Sequence, residues 1–164
     1  MISVLLACLV ISTNLLAYNV DEISVKIESG FGVEDPTPLR GSGVLFNVDG
    51  AVFVVTSDHV VYPENKGVYH TIQSEFIGNK KASLVTADPS VGLALLHLKD
   101  WDHDLELPVL EDFEAIELTL GQELRLIGYP FQSPSIVDDS EASIISLKST
   151  RHLFWGLDDI IEVS

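Results

Sequence analysis

Apolar and polar residues alternate in short runs along most of this chain, and the period is that of strands. In residues 21–28, Ile23, Val25 and Ile27 alternate with Ser24, Lys26 and Glu28, which predicts a strand with one buried face. Residues 29–40 carry Gly30, Gly32, Pro36 and Pro38 and read as loop. Residues 43–47 and 51–56 are two apolar runs separated by Val48-Asp49-Gly50, and an Asp-Gly pair in that position predicts a hairpin. Residues 63–67 read as a turn, 68–73 and 80–86 as strands, 87–90 as a turn, and 93–99 as an apolar central strand. Residues 21–99 therefore predict about six short strands and no helix, the pattern of a small closed barrel or a sandwich. An acidic, irregular stretch, 100–116, reads as a linker. Strand signals resume at 122–128 and 141–148, with shorter candidates at 152–155 and 160–163. The expected fold class is all-β.

Composition narrows the class of partner. The 164 residues hold 25 acidic and 9 basic side chains, a formal net charge of -16, and 46% are hydrophobic. Such a chain can bury a core, and its charge opposes binding to nucleic acid or to an anionic membrane. Residues 1–17, MISVLLACLVISTNLLA, hold an apolar run too short to span a bilayer, then polar residues and a small residue at a possible cleavage point. They read as a secretory signal peptide, which places the mature protein in a secreted or periplasmic location, off the membrane. A buried first strand and a lipidated Cys8 are the other readings of this stretch. Cys8 is the only cysteine, so no disulfide or zinc-thiolate site is expected in a mature chain.

The chemistry centres on residues 41–62, GSGVLFNVDGAVFVVTSDHVVY. A histidine just past a buried strand end is held rigidly and still faces outward, as a general base must. His59 occupies that position; its other reading is an ordinary turn histidine. This stretch resembles the histidine motif of trypsin-like serine peptidases, and is most similar to the disulfide-free bacterial HtrA-type branch, with its Gly-Ser-Gly and T-x-x-H-V elements. Residues 107–131 are similar to the same family's second-barrel leader, with Gly121, Gly128, Tyr129 and Pro130 on the pattern. The resemblance implies a trypsin-like double β-barrel, a polypeptide substrate or protein partner, and no cofactor or metal. It also implies residues 18–106 as a complete first barrel and 107–164 as an incomplete second barrel.

Two departures from the family pattern stand out. The family's second motif, D-P-x-x-D followed by an apolar strand, reads here Asp88-Pro89-Ser90-Val91-Gly92-Leu93, so Gly92 fills the slot of the triad carboxylate. Asp88 is the candidate that reaches in from the turn, or else a turn residue accepting a nearby N–H. Asp58 is expected to point away from His59, as neighbours in an extended segment do. The nucleophile is also missing: no Gly-x-Ser-Gly-Gly occurs in the sequence, and Ser42 reads as structural between Gly41 and Gly43. The chain ends at Ser164 inside an apolar run, which leads to the expectation of a product truncated before the serine loop. The implied parent chemistry is peptide-bond hydrolysis with His59 as base, and the chain itself is expected to be inactive or to serve as a non-catalytic binding module. Asp100, Asp102, Asp104 and Glu111 have the spacing of a calcium loop without its glycine, and read otherwise as solvated acidic residues. His70, His97, His103 and His152 show no metal-ligand spacing.

Overall fold

The computed structural model describes residues 18–31, 37–61, 68–109, 119–129, 137–146 and 162–163. The expected signal peptide 1–17, the turn 63–67 and the short strand 152–155 lie outside the described residues.

Six strands close into a barrel: β1 Ser24–Phe31, β2 Leu39–Val48, β3 Ala51–Ser57, β4 Val68–Ser74, β5 Gly78–Asp88 and β6 Leu93–Leu98. Their order around the barrel is β1-β2-β3-β6-β5-β4, all neighbours antiparallel, and β4 returns to β1 through pairs such as Ile27 with Ile72. Closure leaves no unpaired strand edge in this unit. The interior is filled from alternate positions: Val25, Ile27, Leu45, Val54, Ile72 and Leu96 are all at 0% exposure. Each such side chain contributes about 1.5–3 kcal/mol by leaving water.

Local chemistry explains the connections. Between β2 and β3, Asp49 and Gly50 both take positive φ, 51° and 84°. Two left-handed residues in a two-residue loop give the turn whose twist matches the flanking strands. The Asn47 side-chain oxygen accepts the Gly50 N–H at 2.9 Å. At the chain's described start, Val20–Ile23 form one helical turn, α1, where the alternation predicted strand from residue 21. The reason is the cap: Asn19 accepts the Asp21 N–H at 3.2 Å, and Asp21 and Glu22 occupy the first turn, where acidic side chains favour helix. Ile23 remains buried, so its apolar character is used either way.

The stretch 101–109 is more ordered than a linker. Trp101 and Leu105 pack on the barrel core and Leu107 is buried, while Asp102, Asp104 and Glu106 face water. The Asn47 N–H donates to the Pro108 carbonyl at 2.8 Å, and Val109 bridges Asn47 in parallel. Lys80 pairs with Asp102 and fastens this strap to β5.

A second sheet follows, β7 Glu123–Gly128, β8 Val137–Ser146 and β9 Glu162–Val163, in that order. β8 begins four residues before its alternation predicted. The Ser42 hydroxyl joins this sheet to the barrel: it accepts the Tyr129 N–H at 2.7 Å and donates to the Tyr129 carbonyl at 3.4 Å. Thr56 of β3 donates its hydroxyl to the Ser42 carbonyl at 2.7 Å. Burial, then the charges of Glu75 and Asp21, push the Tyr129 phenol above its usual range. Removing this hydroxyl by Ser42→Ala is expected to speed amide hydrogen exchange at Tyr129 by about fivefold to tenfold, what one hydrogen bond is worth. Exchange at Val54 and Leu96 stays unchanged; an unaltered Tyr129 rate contradicts the role.

Candidate active site

His59 sits in the middle of a 3-10 turn, Asp58–Val60, that leaves the end of β3. Three contacts hold the turn. The Val61 N–H donates to the Asp58 carbonyl at 3.2 Å, and the Asp58 N–H donates to the Gly92 carbonyl at 3.0 Å. Val60, at 4% exposure, fills the space over Gly41, where a Cβ would collide with both its methyl groups. Gly43 is required in the same way, because a Cβ there would lie 2.5 Å from Val54 Cγ1 and 2.7 Å from Ile27 Cδ1. The two glycines are therefore needed for close approach. The imidazole itself is about a third exposed, with 30% of its side-chain surface open.

The turn between β5 and β6 lies beside this histidine turn. Ser57 pairs with Leu93 across β3 and β6, and Asp88 pairs with Leu93 across β5 and β6. Gly92 takes φ 71°, a left-handed conformation that costs glycine little, and turns its carbonyl to Asp58. The residue in the expected carboxylate slot thus meets the histidine turn through its backbone and brings no acid.

Asp88 stands at the base of that turn. Its Oδ1 accepts the Ser90 N–H at 2.9 Å and the Ser90 hydroxyl at 2.5 Å, and its carbonyl accepts the Val91 N–H at 3.3 Å. The Ser90 hydroxyl, followed by the Ser90 N–H, holds the carboxyl below its ordinary 3.8.

Asp58 departs from expectation. Because it sits on a 3-10 turn and not on an extended segment, its Oδ1 comes within 3.8 Å of His59 Nδ1. The other described histidines, His70, His97 and His103, form no metal-holding group. His70, on β4, is buried at 3% exposure with its Nδ1 2.8 Å from the hydroxyl of buried Ser29. A single polar residue among Tyr69, Thr71 and Ile72 gave no sign of an inward-facing imidazole. His97 lies against Phe53 at 5.1 Å between ring centroids, and His103 lies edge-on to Trp101 at 5.2 Å. His152 and Glu111 lie outside the described residues. Asp102, one of the spaced carboxylates, pairs with Lys80, and its oxygen lies 3.1 Å from His103 Nε2. The Lys80 ammonium holds its carboxyl below the usual range. Among the described residues no group of three or more His, Cys, Asp or Glu could hold a metal ion.

A closed six-stranded barrel that offers a histidine from the turn after its third strand, next to a second β-sheet, is the architecture of the trypsin-like proteases. Residues 41–156 match the trypsin-like peptidase domain family, and the chain belongs to that family. The fold is similar to that of Rv3671c from Mycobacterium tuberculosis H37Rv, a serine-to-alanine mutant in its inactive form, at 24% identity and TM-score 0.62. That likeness covers 92% of this chain and 68% of the other. The active form of the Rv3671c protease aligns at 22% identity and TM-score 0.57, covering 89% of this chain and 60% of that one. The HtrA-type protease AlgW, a serine-to-alanine variant with a tripeptide, aligns at 19% identity and TM-score 0.60, covering 90% and 44%. No curated protein matches the sequence. No helix of the described residues is long and apolar enough to cross a membrane.

The Asp88 geometry has a consequence in pH. A carboxyl held below 3.8 by its partner stabilises the fold above that value, and the contribution disappears as pH falls through the lowered value. In Ser90→Ala the Asp88 carboxyl is expected to titrate closer to 3.8, measured from its carboxyl carbon resonance. The same midpoint in both proteins would show that Ser90 exerts no hold.

Proposed function

We propose that this chain is an exported homologue of trypsin-like serine endopeptidases that does not cleave polypeptide by itself. In this reading residues 1–17 direct export, 18–106 form the histidine-bearing barrel and 107–164 contribute part of a second barrel. His59 is the general base of the ancestral chemistry, the atom set that would take a proton from an attacking hydroxyl. The observation that carries the reading is the placement of His59 on a turn bonded to Gly92, within a segment that matches the peptidase family. That same bond supports the loss of activity. Gly92 presents a carbonyl at the position where the family motif has the triad carboxylate.

A second reading is favoured by Gly92: the scaffold holds a polypeptide or a protein partner without cutting it. The two are separated by adding unfolded casein and a serine-directed fluorophosphonate to the purified chain. The expected result is neither cleavage nor labelling. Cleavage that disappears in His59→Ala would overturn the inactive reading. Retention of fluorescent casein peptides by an uncleaving chain, measured by anisotropy, favours the binding module.

A further inference from the structure

Gly92 leaves the neighbouring turn without an acid, and Asp88 gives its carboxylate oxygen to Ser90. An acidic side chain reaches the imidazole all the same. We propose that Asp58, the residue directly before His59, is the positioning carboxylate of this site, with its Oδ1 3.8 Å from His59 Nδ1. The proposal rests on the reading of His59 as the general base.

The geometry is built into the turn. In a strand, consecutive side chains point to opposite faces. In a 3-10 turn of about three residues per revolution they lie only about 120° apart, so neighbours can meet. Asp58 is fixed at both ends of its own peptide. Its N–H is held by the Gly92 carbonyl, and its carbonyl accepts from the Val61 N–H. The backbone that fixes the carboxylate is therefore the backbone that fixes the histidine, and Gly92 contributes as an anchor for it. The pair is partly sheltered, with 30% of the His59 and 21% of the Asp58 side-chain surface exposed. An interaction there is less screened than one in open water. At 3.8 Å the two atoms are neighbours beyond hydrogen-bond distance, and catalytic contacts in unliganded sites commonly tighten when substrate binds.

The role is that of a tautomer selector. A carboxylate on the Nδ1 side favours the tautomer with its proton on Nδ1, which leaves the lone pair on Nε2. A base with its proton on Nε2 cannot take one there. The carboxylate of this site thus stands on the histidine's own turn, one residue away in sequence, and not on the turn between β5 and β6.

The test reads the tautomer directly. Imidazole nitrogen-15 shifts of His59 are recorded in the mature chain well above the ordinary histidine value of about 6.5. They are compared with Asp58→Asn, which keeps the shape, and Asp58→Ala. The parent is expected to hold His59 mainly as Nδ1–H, and the ratio of Nδ1–H to Nε2–H falls by about twofold to fivefold in both variants, the scale of one weak hydrogen bond. A parent imidazole mainly in the Nε2–H form, or an unchanged ratio in the variants, overturns the assignment. If Asp58→Ala does not fold, Asp58→Asn and the parent tautomer still decide. The readout needs no turnover. A cleaving chain would therefore overturn the inactive reading and leave this result standing, and the wrong tautomer would do the reverse.

Discussion

The placement of His59 depends on a missing side chain. Gly41 on β2 leaves a gap, Val60 fills it, and that contact helps seat the turn that carries the histidine on the barrel. A β-branched residue suits the task because its side chain has few rotamers to lose and two methyl groups to pack. The barrel wall beneath is rigid because it has no free edge, so a residue set on it inherits that rigidity. A second tie, from the Asp58 N–H to the Gly92 carbonyl, fixes the turn laterally against the β5–β6 connection. Packing and one backbone bond thus hold the imidazole, whatever acid stands beside it.

This explains how the scaffold holds its histidine in place with a glycine at position 92. The acid of a triad orients and stabilises the imidazole, but the position of the histidine comes from the barrel. Gly92 is left-handed, and its carbonyl serves the neighbouring turn. The Ser42 hydroxyl performs a comparable service at the other side of the Gly-Ser-Gly stretch, where it binds both backbone groups of Tyr129. Three consecutive residues therefore do three separate tasks: Gly41 admits Val60, Ser42 fastens the second sheet, and Gly43 admits Val54 and Ile27.

Much of this was legible in the sequence, for identifiable reasons. The strand alternation of residues 24–28 and the apolar run of 93–98 survive in the barrel because one face of each must be buried. The Asp49-Gly50 turn was readable because few pairs adopt positive φ twice in succession. The His59 turn was readable from its position after a buried strand. The helical turn at Val20–Ile23 was missed because Asn19 outweighed the alternation, and a cap acts over three residues where a period needs eight. The strap at 101–109 was missed because its acidic residues dominate the composition, while Trp101, Leu105 and Leu107 carry its packing. The approach of Asp58 to His59 could not be read from strand geometry, since it exists only once the chain leaves the strand. The links from Ser42 to Tyr129, and from Ser29 to His70, join residues 87 and 41 positions apart, and no local pattern contains them.

The central claim, that Val60 in the gap over Gly41 seats the histidine turn, is tested most directly by a double-mutant cycle in denaturant unfolding. Gly41→Ala alone forces the Val60 side chain to move and is expected to cost about 1–3 kcal/mol, as overpacking does. Val60→Ala makes room, so the double variant should be less destabilised than the sum of the singles, by about 0.5 kcal/mol or more. Strict additivity of the two changes would contradict the account, because it would mean that Gly41 and Val60 do not share the contact on which the site is built.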